Sequence, residues 1–217
     1  VLNHVGDWVD SGRFPHRSHW NVYIAYFAGI FIDCPSCLGM EIVNNTDRVT
    51  RGDRELWDEL LQVVIPKGRN IWAFADDDSE KLNEVGRSFE FFVLPENNEA
   101  NVKKAMKDGN FFAASKYYKT TDGVGDFDGD GNVPLVTGIK VDQKANTNRA
   151  TDPTRDCRVI EWIADGKVIA TGNTIDLNDY EKDLGCYIRF QMKGSGGVTY
   201  SQPFELQYNG RIDKPVP

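Results

Sequence analysis

Several absences bound this sequence before any of its motifs do. No run approaches the ~18 apolar residues of a membrane-spanning helix. The most apolar stretch, "WNVYIAYFAGIFIDC", is interrupted by Asn21, ends at Asp33 and reads as a buried helix. The opening "VLNHVGDWVD" lacks the basic start and apolar core of a secretory signal, which favours a cytoplasmic location. It also lacks an initiator Met, and "VLNH" reads like the end of a strand already under way, so the chain is expected to be a fragment that begins inside a domain. GxSxG, P-loop and GxGxxG signatures are absent. No local Ser/His/Asp arrangement suggests nucleophilic catalysis, although one assembled from distant residues stays open. Basic charge is also short: the formal net charge of -8 argues against a nucleic-acid-binding surface. The four cysteines include only one CxxC, Cys34 to Cys37, with no second ligand pair to complete a zinc site, so ordinary loop thiols are expected. Whether Cys157 and Cys186 meet across a sandwich is left open by the sequence.

What is present is an ordinary globular composition, 40% hydrophobic and 27% charged over 217 residues, enough for one large domain or two modest ones. The pattern changes near residue 115. Before it, apolar runs alternate with helix patterns. "HWNVYIAYFAGIF" (19 to 31) has broad helical periodicity and "LGMEIVN" (38 to 44) is a short apolar strand. "DRELWDELLQVVI" (53 to 65) places acids where a helix begins and repeats Leu56, Leu60, Val63 and Val64 on one face. "RNIWAFA" (69 to 75) and "SFEFFVLP" (88 to 95) read as buried strands, and "NNEANVKKAMKDGN" as a capped helix stopped by Gly109. Alternation of this kind predicts an α/β domain with a largely parallel sheet. Working residues of such sheets gather at the strands' carboxyl ends, where Asn44, Asn45 and Asp76 to Asp78 fall.

After residue 115 the helical pattern disappears. Short alternating segments separated by turn residues predict a small all-β sandwich, with an immunoglobulin-like arrangement as one candidate. The clearest hairpin is "EWIADGKVIATG", turning at Asp165-Gly166. The Cys–Trp–Cys spacing of true immunoglobulin domains is not met, because Trp162 follows Cys157 too closely. The expected organisation is therefore an α/β domain at 1–118, an acidic linker at 119–134, a β-sandwich at 135–210 and an irregular tail at 211–217.

Three groups of residues could carry chemistry. His4, in "LNHVGDW", sits where a strand end and a following Gly turn can project an imidazole into a cleft as a metal ligand, with Asp7 close behind. His16 and His19 have helical spacing but no acid beside them, and read as structural. The triple aspartate in "IWAFADDDSE" offers hard oxygen donors suited to a divalent cation, or else forms a solvated turn. Finally, "GDFDGDGNV" places Asp126, Asp128 and Asp130 like the first oxygens of a calcium loop. Thr137 stands where the bidentate Glu would be, and no helix pattern flanks the loop, so a normal EF-hand is excluded and an acidic interdomain turn is favoured.

Taken in order, "NHVGDW" (3 to 8), "GMEIVN" (39 to 44), "RELWDELL" (54 to 61), "WAFADDDS" (72 to 79) and "FFVLPENNEANVKKAMKDGNFFAAS" resemble the later part of PHP-domain (polymerase and histidinol phosphatase type) metal-dependent phosphoesterases. The resemblance covers roughly residues 1 to 115 and rests on the order and spacing of the five segments together. It implies part of a distorted β/α barrel with a metal cluster at the strands' carboxyl ends, followed by a β-rich extension like those of some bacterial members. It implies His4 and Asp77 as metal ligands, Glu41 as a supporting residue, and Asp76 and Asp78 as lesser candidates. Ser79 stands where the family's D-x-H motif has its ligating His, and Val5 replaces the usual Pro. The family's opening H-x-H motif has no counterpart here, so the chain supplies at most two matching ligands.

The function this implies is hydrolysis of a small phosphorylated substrate, a phosphomonoester or phosphodiester, by water activated on Zn, Mn, Mg or Fe ions. The site would be incomplete or degenerate. The alternative is a non-catalytic binding protein whose β-sandwich contacts a glycan or a protein. A calcium-stabilised surface module, resting on Asp126 to Asp130, is the third expectation.

Overall fold

The computed structural model describes residues 1–5, 20–45, 50–116, 132–151 and 153–208. Asp7, His16, His19 and the calcium-loop residues Asp126, Asp128 and Asp130 lie outside them.

The first elements follow the sequence pattern closely. Helix α1 spans Trp20–Asp33, strand β1 Gly39–Asn44, helix α2 Arg51–Val64 and strand β2 Trp72–Asp76. Helix α2 buries Leu56, Trp57, Leu60, Leu61 and Val64, one stripe at helical spacing, against β1 and α1. Strands β1 and β2 pair in parallel, from Gly39 opposite Trp72 to Asn44 opposite Asp76. A parallel bridge from Leu2 to Met40 adds the N-terminal segment to this small sheet. Every residue of β1 is buried, as expected for a strand covered on both faces.

The parallel arrangement ends there, and the expected β/α barrel is not found. Strand β3 (Ser88–Phe92), helix α3 (Glu99–Asp108) and strand β4 (Phe111–Ser115) look in sequence like a parallel crossover unit. In the structure β3 and β4 are antiparallel, with Phe91 opposite Phe112. A connecting helix permits a parallel crossover without imposing one, and here the chain returns along the strand it left. Two features hold that return in place. Asn98 caps α3 by accepting a hydrogen bond from the Asn101 amide, at 2.9 Å. Gly109 ends the helix at φ 72°, where an added Cβ would lie 2.8 Å from the Trp72 ring.

The remaining strands are β5 (Gly138–Asp142), β6 (Thr147–Thr151), β7 (Cys157–Ala164), β8 (Lys167–Thr171), β9 (Thr174–Asp176), β10 (Tyr187–Gly194), β11 (Gly197–Tyr200) and β12 (Phe204–Glu205). Strands β7 and β8 turn at Asp165-Gly166, both with positive φ, as the hairpin signature predicts. One antiparallel sheet runs in the order β3-β4-β11-β10-β7-β8, with β12 also on β10. It therefore draws strands from both sides of the 119–134 segment. A second antiparallel sheet has the order β5-β6-β9. Among the described residues the molecule is thus predominantly β, with twelve strands and three short helices.

Strand β10 shows how the layers stack. Its even residues Ile188, Phe190 and Met192 join Trp162, Ile160, Ala150 and Ile175 in a core shared with the smaller sheet, a sandwich-like packing. Tyr187, on the opposite face, packs with the helices and the parallel pair. Arg189, on that same face, is buried as well. It donates from Nε and Nη2 to the two carboxylate oxygens of Asp58 on α2, at 2.7 and 2.6 Å, and its guanidinium lies 4.9 Å from the Trp57 ring. The Tyr187 hydroxyl donates to the same carboxylate at 2.7 Å. Burial works against the Arg189 charge, but Asp58 holds its pKa above the ordinary range. This closed knot ties the helical layer to the central sheet.

All four cysteines are free thiols. Cys186 belongs to the helix-side core and Cys157 packs on the sandwich core, so they lie on different sides of the large sheet. Among the described residues no helix is long and apolar enough to cross a membrane.

Candidate functional site

The parallel strands end side by side, and their carboxyl ends gather polar residues that the sequence scatters. The segment 1–3 delivers His4, β1 contributes Glu41, Asn44 and Asn45, and β2 delivers Asp76, Asp77 and Asp78. His4, Asn45 and Asp78 all adopt left-handed backbone, with φ of 54°, 48° and 47°. His, Asn and Asp tolerate that region better than most residues, yet each costs of order 1–3 kcal/mol and such positions concentrate at functional sites.

Glu41 is the pivot of the cluster. It is fully buried in the middle of β1. One oxygen, Oε2, accepts from the His4 backbone amide at 2.9 Å and lies 3.3 Å from His4 Nδ1. The other accepts from Asn44 Nδ2 at 2.9 Å. The imidazole is thereby held with its far nitrogen, Nε2, 3.9 Å from Asp78 Oδ2. Both His4 and Asp78 are solvent-exposed at this edge.

The acids around Glu41 are pressed together. Burial pushes the Glu41 carboxyl above its usual range, and the neighbouring Asp76 charge adds to the push. Asp76 is raised chiefly by burial too, with Asp77 repelling it. Glu90, on β3, accepts from the Ala75 amide at 2.9 Å, and burial pushes its pKa up to about 7.

Asp77 does something different from its neighbours. Its carboxylate accepts three backbone hydrogen bonds, from Gly86 at 2.6 Å, Arg87 at 2.6 Å and Ser88 at 2.8 Å. It thus fastens the 78–87 loop to the start of β3. Arg87 Nη1 in turn donates to Asn45 Oδ1 at 2.6 Å, and Ser88 Oγ to the Asn45 carbonyl at 3.1 Å. The Lys116 ammonium lies near Gly86. Two cations therefore edge a cluster that is otherwise acidic. Ser79 is exposed, and no partner of its side chain appears among the described residues.

Sequence reasoning brought His4, Glu41 and the aspartates to one place but did not single out Glu90 or Arg87. Glu90 carried a usable signal, since an acid at the centre of the apolar run "SFEFF" must find a partner or a raised pKa. Among the described residues, no group of three or more His, Cys, Asp and Glu side chains is arranged to hold a metal ion. A resident zinc site needs at least three protein ligands, and the residues present do not fit one. Two facing donors remain at the edge of the cluster, His4 Nε2 and Asp78 Oδ2, 3.9 Å apart. No protein-family model, no curated protein and no solved structure matches this sequence.

Proposed function

We propose that the carboxyl-end cluster is a phosphoesterase site, hydrolysing a small phosphomonoester or phosphodiester with a divalent cation, Mg²⁺ or Mn²⁺, that arrives with the substrate phosphate. The observation that carries this reading is the carboxylate-backed imidazole. His4 turns Nδ1 to buried Glu41 and Nε2 towards Asp78. Ligating histidines are oriented in this way, their second nitrogen bonded to a carboxylate that fixes the ring and raises its basicity.

Each neighbouring residue has a role in that scheme. Asp78 and His4 would hold the cation between them. Such an ion, when bound, lowers the pKa of water and neutralises charge developing on the phosphoryl oxygens. Arg87, held by Asn45 and by the loop that Asp77 secures, supplies positive charge for the phosphate itself. Glu41 orients His4, and the burial that raises both Glu41 and Asp76 favours their neutral forms, which reduces the negative charge that an incoming phosphate must approach. Asp77 is assigned a scaffolding role in place of ligation, because its oxygens already accept three amides.

The test is turnover of p-nitrophenyl phosphate and bis-p-nitrophenyl phosphate by the full chain in Mg²⁺ and in Mn²⁺. The expected result is cation-dependent turnover that falls at least about a hundredfold in His4→Ala and in Asp78→Ala. Absence of turnover with either cation, or turnover untouched by both substitutions, contradicts the reading.

A further inference from the structure

At one end of the sandwich, a trough of about 580 Å³ opens between β5–β6 and β12, and it adjoins a smaller one of about 220 Å³. They share the lining residues Asn146, Leu177, Leu206 and Gln207, and neither includes Lys or Arg. The larger one falls within the roughly 300–1,000 Å³ of small-molecule sites. No residue of the carboxyl-end cluster lines either part.

The polar groups here are amides and carboxylates, already arranged in pairs. On one wall Asn146 Nδ2 donates to Asn178 Oδ1 at 2.9 Å, and Asp176, outside the lining, holds Asn178 by accepting from its Nδ2 at 2.8 Å. On the other, Gln207 Nε2 donates to Glu205 Oε1 at 3.0 Å. Leu177, Leu206 and Phe204 add apolar surface. A further polar group comes from Asn148 on β6. The residue is only 4% exposed, it lines the trough, and no protein partner of its side-chain amide appears among the described residues. The amide is not sealed from solvent, so its donors and acceptor are open to whatever occupies the trough.

We propose that this trough binds a neutral oligosaccharide. A sugar hydroxyl both donates and accepts, and an amide beside a carboxylate presents a donor and acceptors together, matched to neighbouring hydroxyls. The apolar side chains suit the C–H faces of a pyranose ring. The lining of the trough itself carries carboxylates only, which disfavours phosphorylated, sulfated and uronic acid ligands there; the nearest cations, Lys140 and Arg149, line the adjoining hollow that shares Val141, Asp142 and Gln143. The site is independent of the phosphoesterase reading and stands or falls separately from it.

The experiment is isothermal titration of the full chain with cellohexaose, xylohexaose, mannohexaose and maltohexaose, and with hexamers of polygalacturonate and heparin. At least one neutral hexasaccharide is expected to bind, and the charged ones are not. Gln207→Ala should weaken that binding about tenfold. Asn148→Leu should abolish it while leaving the melting temperature unchanged or raised, an outcome that a purely structural role for Asn148 would reverse. Failure of all four neutral probes to bind, equal binding of the charged ones, or undiminished binding by both variants overturns the proposal.

Discussion

Two buried carboxylate centres lie on the helix side of this molecule, and they are built on opposite principles. At Asp58 the charge is closed: both oxygens meet the Arg189 guanidinium and one also meets Tyr187. At the ends of β1 and β2 the charges are crowded instead. Glu41, Asp76 and Glu90 are all raised by burial, and His4 and Asp78 face one another at the edge. The first arrangement joins two layers and leaves both carboxylate oxygens satisfied. The second stores unfavourable electrostatics and left-handed backbone at three residues, the combination expected where a ligand is to relieve them. Burial alone therefore does not distinguish the two centres; a guanidinium bonded to both carboxylate oxygens does.

The contrast can be broken most severely at the closed centre. Arg189→Met strands a buried carboxylate and should cost about 3–5 kcal/mol in urea unfolding. A loss below about 1 kcal/mol would show that Asp58 is screened by water, as exposed pairs are, and the distinction between the two centres would fail. Asp77→Ala comes next. It leaves the amides of Gly86, Arg87 and Ser88 without their acceptor and should cost about 2–4 kcal/mol. Hydrogen exchange at those three amides should accelerate; unchanged rates would contradict the scaffolding role.

Glu90 sharpens the comparison through pH. Its folded pKa of about 7 lies above the ordinary 4.5, so the native state holds the extra proton. Its contribution to stability is therefore full below pH 4.5 and is lost as pH rises through 7. Glu90→Gln should flatten that part of the pH–stability curve and be more stable than the parent at pH 8 by about 1–2 kcal/mol. Urea midpoints at pH 5 and pH 8 read this directly, and an unaltered slope would contradict it. At the small end stands the exposed Lys103–Glu99 pair on α3. Lys103→Ala should change stability by no more than about 0.5 kcal/mol, against the several expected at Arg189.

Local signals in the sequence were enough for local structure. The stripe of Leu56 and Leu60 located α2, the Asp165-Gly166 dipeptide located a hairpin, and the apolar runs ending in Asn44 and Asp76 located two parallel strand ends. The barrel was misread because a strand–helix–strand pattern does not record whether the second strand runs parallel or returns. Only the pairing of β4 with both β3 and β11 decides that. The site was legible as a set of residues but not as a division of labour. Nothing near Asp77 in the sequence shows that amides nine to eleven positions later fold back onto it. The Asp58–Arg189 knot spans 131 residues and had no local trace at all.

The central claim, that His4 and Asp78 hold a cation only together with phosphate, is tested most directly by Mn²⁺ titration of the full chain, followed by electron paramagnetic resonance, with and without inorganic phosphate. The expected result is weak Mn²⁺ binding that tightens at least about tenfold with phosphate and disappears in His4→Ala. Mn²⁺ affinity that is indifferent to phosphate, or that survives His4→Ala, would contradict it.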